Sequence, residues 1–156
     1  MRRFRHYCSV MEPLSFPNYS FRFQEADRKK MIFDVVRKKF VALTPEEWVR
    51  QHCIHFLLEE KEVPLSLVGV ESSIQYQGMN RRCDLLIYKA GKPNLLVECK
   101  APDIPLNAKV VEQLARYQSV VQVPFMWITN GIHHLMLQLS EGKLERIDAL
   151  PQYSNW

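Results

Sequence analysis

From residue 44 onward the spacing of apolar side chains changes period several times, and each change marks an element. Thr44-Pro45-Glu46-Glu47 opens a helix: the threonine hydroxyl caps free amides, proline suits the first helical position, and the carboxylates complement the helix dipole. Val49, Cys53, Phe56 and Leu57 follow at helical spacing, predicting a helix to about Lys61 with one apolar stripe. Glu46 falls on that stripe one turn earlier, Glu47 falls beside it, and Pro64 ends the element.

Period-two patterns follow. Strands are expected over Leu65–Gln77, closed by Gly78-Met79-Asn80, then Cys83–Tyr88, a turn at Ala90-Gly91-Lys92-Pro93, and Asn94–Lys100. A second helix fits from about Leu106 to Val120, with Val110, Leu114 and Tyr117 on one face. Val123–Thr129 reads as a strand, Asn130-Gly131 as a tight hairpin turn, Ile132–Leu139 as its return, and Lys143–Ile147 as an edge. The order is helix, three strands, helix, strand, strand. That order predicts an α/β (α+β) class: a mixed sheet with helices on its faces and an extra C-terminal hairpin. Residues 1–30 read as a basic and aromatic arm broken by Pro13 and Pro17, with Phe16, Tyr19, Phe21 and Phe23 available for docking. Residues 31–150 then form one domain and 151–156 a tail.

Composition narrows the class. A chain of 156 residues, 47% hydrophobic and 24% charged, supports one globular core and excludes wholesale disorder. No run approaches the roughly 18–20 apolar residues of a membrane span. The basic start Met1-Arg2-Arg3-Phe4-Arg5 has no apolar stretch behind it, so no secretion signal is read. The four cysteines (Cys8, Cys53, Cys83, Cys99) are widely spaced and lack a Cys-x-x-Cys pair. Reduced thiols and a cytoplasmic setting are therefore expected, rather than a disulfide framework or a zinc ribbon.

The net charge of +4 is uneven. Residues 1–39 hold ten Lys/Arg against four Asp/Glu, whereas residues 40–156 hold eleven against thirteen. The basic clusters Arg2-Arg3-x-Arg5, Arg28-Lys29-Lys30 and Arg37-Lys38-Lys39 suit phosphates, and equally suit a solvated face.

Chemistry concentrates in Leu95-Leu96-Val97-Glu98-Cys99-Lys100-Ala101, apolar enough for a central strand yet carrying two charges near its end. Glu98 and Lys100, two apart on a strand, point to one face. Burying them is costly unless they are paired or hold a metal. The preceding strand opens with Asp84, and a hairpin through Gly91-Lys92 brings Asp84 near Glu98. Carboxylate oxygens suit a hard cation such as Mg²⁺. Held by Asp84 and Glu98, it would polarise a phosphodiester and activate a water, with Lys100 orienting that water or neutralising charge. A structural Glu98–Lys100 or Asp84–Lys100 ion pair at a sheet edge explains the same residues, and geometry alone leaves both readings open.

Asp84, then Glu98-Cys99-Lys100 after a hairpin, resembles the PD-(D/E)xK nuclease superfamily, whose restriction-endonuclease-like αβββαβ core has the order read above. Glu46 matches the first-helix glutamate that often joins that family's metal site. Gln113-Leu114-Ala115-Arg116-Tyr117 matches the Gln-x-x-x-Tyr of some branches, including the RecB-like nucleases, and puts Gln113 and Tyr117 on one helical face. Pro45-Glu46-Glu47-Trp48-Val49-Arg50-Gln51, Arg82-Cys83-Asp84, Val97-Glu98-Cys99-Lys100-Ala101-Pro102 and Thr129-Asn130-Gly131 resemble the N-terminal domain of type I restriction enzyme R subunits. That likeness spans roughly residues 31–140 and is best with small stand-alone bacterial proteins carrying this domain.

The resemblance implies phosphodiester hydrolysis, with DNA the expected substrate, by in-line attack of water and Mg²⁺ (or Mn²⁺) as cofactor. Asp84 and Glu98 would bind the metal, with the Cys99 backbone carbonyl as a third ligand. Glu46 would complete the acidic site, Lys100 would assist the water, and Gln113 with Tyr117 would position metal or phosphate. The proline before the aspartate is replaced by Cys83. No Gly-x-x-x-x-Gly-Lys-Ser/Thr loop occurs, so ATP and ATP-driven translocation are not carried over. The alternative is a non-catalytic nucleic-acid-binding or accessory module of the same fold, and a homodimer or a protein partner stays open.

Arg81 and Arg82, just before Asp84, are phosphate candidates, and Arg116 is a weaker one. His52 with His55, and His133 with His134, lack a third ligand at supporting spacing and read as surface or satisfied polar residues. Glu71 is within reach of the metal patch or of a nearby arginine, and pairing with the arginine is the expected role. Trp48, Trp127 and Tyr76 are expected to pack rather than stack on bases.

Overall fold

The computed structural model describes residues 11–76 and 78–156, so Cys8 and the Arg2-Arg3-x-Arg5 cluster lie outside the described residues. Two sheets form. β1 (Phe23–Ala26), β2 (Lys29–Asp34) and β3 (Lys39–Ala42) make a small antiparallel sheet. The expected border between residues 30 and 31 falls inside β2.

Helix α1 (Pro45–His55) begins where its capping residues stand, Thr44 Oγ1 accepting from the Glu47 amide at 3.1 Å. A π-helical segment, Phe56–Glu60, carries the helical backbone on to Lys61. A 3₁₀ turn at Leu65–Leu67 takes the start of the expected first strand, and β4 (Val68–Tyr76) begins after it. β5 (Met79–Lys89), β6 (Lys92–Cys99), α2 (Ala108–Val121), β7 (Phe125–Thr129), β8 (His134–Ser140) and β9 (Lys143–Ile147) follow. The large sheet runs in sequence order from β4 to β9. β6 and β7 are parallel, joined by the α2 crossover, and the other neighbours are antiparallel. The class is mixed α+β, with the αβββαβ order realised from α1 to β7.

Alternation in the central strands gives the sheet two apolar faces. Leu85, Ile87, Leu95, Val97 and Trp127 pack with Val49, Cys53 and Ile54 of α1 and with Leu57 of the π-helical segment after it. Leu86, Leu96, Met126 and Ile128 form a second cluster, against which Leu106 and Val110 lie. Trp127 is fully buried and Trp48 nearly so, ringed by Phe21, Phe23 and His52. The side chain of Tyr76 lies outside the described ones. Among the described residues no helix is long and apolar enough to cross a membrane.

The turn after β7 is longer than the expected two-residue hairpin. Four residues, 130–133, separate β7 from β8, because the Asn130 side chain organises them: its Oδ1 accepts the Ile132 and His133 amides at 3.0 and 2.8 Å. Its Nδ2 donates to the Ile104 carbonyl at 2.9 Å, which ties this turn to the segment entering α2. Gly131 takes φ +85, and an added Cβ would meet Leu14 at 2.7 Å.

Candidate functional site

An interruption in the sheet sets the site. In the β4–β5 ladder Val70 pairs with Leu85 and Ser72 with Cys83, and the pair between them, Glu71 opposite Asp84, is missing. Glu71 holds φ +50, a left-handed backbone that withdraws it from the ladder. The alternation of faces changes there. Leu85 packs toward α1, whereas Cys83 joins Leu86 and Leu96 on the opposite face. Asp84 lies at this crossover.

The β5–β6 ladder stops at Leu85 paired with Val97, so the next positions outward, Asp84 and Glu98, face one another beyond its end. The Cys99 amide, freed from that ladder, donates to Asp84 Oδ2 at 2.7 Å. The Gly91 hairpin thus brings Asp84 and Glu98 together, and Lys100 Nζ lies 3.2 Å from Glu98 Oε1. Glu98 Oε2 is buried and has no hydrogen-bond partner among the described residues.

A buried chain of alternating charge leads into this patch from α1 and the small sheet. Arg50, 7% exposed, places Nη2 2.5 Å from Asp84 Oδ1 and 3.2 Å from Glu46 Oε1, while its Nη1 meets Glu47 Oε2 at 2.5 Å. Glu47 Oε1 in turn accepts from Arg37 Nη2 at 2.5 Å and Gln51 Nε2 at 2.9 Å. Asp34 closes the far end, bound by Arg37 Nε and Gln51 Nε2. Glu71 is turned toward Arg37 and Arg82, at 3.1 and 3.3 Å.

The electrostatics follow from this packing. Burial, then the Asp84 carboxylate, push Glu98 up to about 7 against the pull of Lys100. Burial and Asp84 likewise raise Glu46. Burial works against the charge on Lys100, but Glu98, Asp84 and Glu46 together hold it above its ordinary value. Arg50 stays charged for the same reason, its burial outweighed by Asp84 and Glu47. Burial raises Cys83 to about 12 and also raises Cys99, the latter beside Cys53 at 3.9 Å, so these thiols are no nucleophiles.

Of the expected site residues, the structure gathers Asp84, Glu98, Lys100, Glu46 and the Cys99 backbone. Gln113 is exposed on α2, and the Tyr117 side chain lies outside the described ones, as does that of Arg81. Arg82 is 68% exposed and reaches Glu71, and Arg116 is exposed on α2. His52 is buried with Nδ1 on the Trp48 carbonyl, and His55 meets Glu59. Sequence reading missed Arg50 and the burial of Glu47. Their signal was the helical spacing of Glu46 and Glu47 to Arg50, which a solvent-facing ion pair shares.

Among the described residues no three His, Cys, Asp or Glu side chains form a ready metal cage. The donor set nonetheless fits a hard cation of the Mg²⁺ type, which takes one or two carboxylates and fills its shell with water and phosphate oxygens. Glu98 Oε2 is a buried oxygen opposite a second carboxylate, without a hydrogen-bond partner among the described residues, and a bound cation would satisfy it.

Residues 45–151 match the family model described as type I restriction enzyme R protein N terminus. A solved fragment of a candidate HsdR subunit of a type I restriction enzyme, from Vibrio vulnificus YJ016, is similar to the chain with a TM-score of 0.47 and 20% identity. The match covers 61% of this chain and 21% of that one, about a fifth of its length. No curated protein matches.

Proposed function

The chain belongs to the type I restriction enzyme R protein N-terminal family, and on that premise we propose that it is a metal-dependent, nuclease-like domain hydrolysing phosphodiester bonds in DNA. The observation that supports this most is the orphaned, buried Glu98 Oε2 facing Asp84, with the Lys100 ammonium beside it. Asp84 and Glu98 would hold Mg²⁺ or Mn²⁺, with the Cys99 carbonyl as a third ligand and Glu46 at the acidic rim. The cation supplies Lewis-acid polarisation of the phosphodiester.

The chain's own groups do the rest. Lys100, kept charged by three carboxylates, orients the attacking water and stabilises negative charge developing on the phosphoryl oxygens. The Cys99 amide fixes the Asp84 carboxylate, so that its orientation costs nothing at the moment of reaction. Gln113 and Tyr117 position metal or backbone phosphate from α2, and Arg81, Arg82 and Arg116 supply phosphate contacts that set affinity rather than sequence choice. Water attacks directly, since the thiols near the site are held neutral.

The test is cleavage of supercoiled and linear DNA with Mg²⁺ or Mn²⁺ by the chain and by Asp84→Ala and Lys100→Ala. Both variants are expected to lose metal-dependent cleavage, and full activity in either refutes the assignment. The second reading, a binding module without turnover, is favoured by one feature: both Asp84 oxygens already have partners, Arg50 and the Cys99 amide. DNA binding indifferent to divalent cations, with no cleavage, would establish that reading instead.

A further inference from the structure

We propose that Arg50 is a built-in counter-cation, which a divalent ion displaces from Asp84 and Glu46 while the guanidinium keeps its hold on Glu47. The inference rests on the metal reading above and concerns how the site accepts its ion. A single nitrogen, Nη2, bridges Asp84 Oδ1 at 2.5 Å and Glu46 Oε1 at 3.2 Å. These two carboxylates, with Glu98, are the acidic groups expected around the cation, so the guanidinium stands between two of them where a shared ion would bridge.

The other anchor is independent. Nη1 binds Glu47 Oε2, and Glu47 is braced separately by Arg37 and Gln51, so that end keeps its charge balance when Nη2 is released. Among the described residues the buried Arg50 Nε has no hydrogen-bond partner, and the ion pairs of the guanidinium run through its two terminal nitrogens. Holding both Arg50 and a divalent cation on Asp84 Oδ1 would place like charges within a few ångström. At the effective dielectric of a partly buried site that repulsion shifts an equilibrium by about tenfold or more.

Arg50 is thus a positioning residue. It keeps Asp84 in place until the ion arrives, and it sets a threshold for ion entry. The sign follows: without Arg50 the site is more negative and has no resident competitor, so divalent cations bind more tightly. A merely structural arginine predicts the opposite, since its loss would disorder Asp84 and weaken binding.

The experiment is calorimetric titration of Mg²⁺ and Mn²⁺ into the full chain and into Arg50→Met. Beside it, the arginine side-chain NMR signals of the ¹⁵N-labelled wild-type chain are followed through the same titration. Arg50→Met is expected to bind about tenfold or more tightly. In the wild type the Arg50 guanidinium signals are expected to move with the binding isotherm. Equal or weaker binding by an Arg50→Met that retains the wild-type circular dichroism overturns the proposal. If that variant does not fold, the wild-type titration decides: Arg50 signals unmoved at metal saturation overturn it. Silence of both proteins in calorimetry overturns the metal reading and this inference together, whereas a binding wild type with unmoved Arg50 signals sinks this inference alone.

Discussion

Replacing Glu98 by glutamine is expected to stabilise the metal-free protein while removing its affinity for divalent cations. The Glu98 carboxyl is 12% exposed, and its pKa is pushed from the ordinary 4.5 to about 7, chiefly by burial and then by Asp84. Below pH 4.5 the group is protonated in both folded and unfolded chains. As the pH rises, the unfolded chain ionises freely whereas the folded chain resists, so the folded state loses stability through pH 7 and carries the full cost above it.

The gap between 4.5 and 7 corresponds to about 3 kcal/mol. Glutamine keeps the shape and removes the charge, but leaves Lys100 without its partner, so the net gain is roughly 1 to 3 kcal/mol. For a chain of this size that raises the unfolding temperature by roughly 2 to 12 °C. Thermal unfolding in EDTA, followed by circular dichroism at pH 8 and pH 5, measures it. The gain is expected at pH 8 and should largely vanish at pH 5. A variant no more stable than wild type at pH 8 would show that Glu98 is not a strained anion, and would remove the main physical support for a cation at this place.

Two other substitutions probe the frame around the site. Glu47→Gln leaves Arg37 and Arg50 facing one another with no anion between them, and should cost about 3 kcal/mol or more in urea unfolding; a loss under about 1 kcal/mol would contradict the role given to this buried pair. His52 is pushed down to about 4, mainly by burial beneath the aromatic cluster, so its folded-state value lies below its unfolded one. Its neutral ring supports the fold fully above pH 6.5, and that support is lost as the pH falls toward 4, at most about 3 kcal/mol. His52→Phe should flatten the stability profile over this window relative to wild type, and an unchanged slope would show that the ring does not resist protonation.

Much of the frame was legible because it is written in short-range patterns. The Thr44 cap, the two central strands and the Gly91 turn each depend on residues a few positions apart, and the structure places them where the patterns do. Leu85 to Val97 pairing also carries Asp84 opposite Glu98, so the convergence of those carboxylates could be read from two strands and one hairpin. The turn after β7 was read too short because the side chain of Asn130, rather than a two-residue backbone turn, organises it. Gln113 stands exposed on α2, and its spacing to Tyr117 specifies a shared helical face without saying what lies across from it.

Local patterns specify which segments become helix and strand, which faces are apolar, and which strand end carries charges that need compensation. What compensates those charges depends on the docking of distant elements. Arg50 and Asp84 are 34 residues apart, as are Arg37 and Glu71, and the left-handed Glu71 opens the ladder beside Asp84. An apolar stripe is specified by local period because burial is non-directional, and any facing stripe satisfies it. A buried charge is satisfied only by a partner at hydrogen-bond distance and in the right direction. That partner is chosen when distant elements dock, and no local pattern names it.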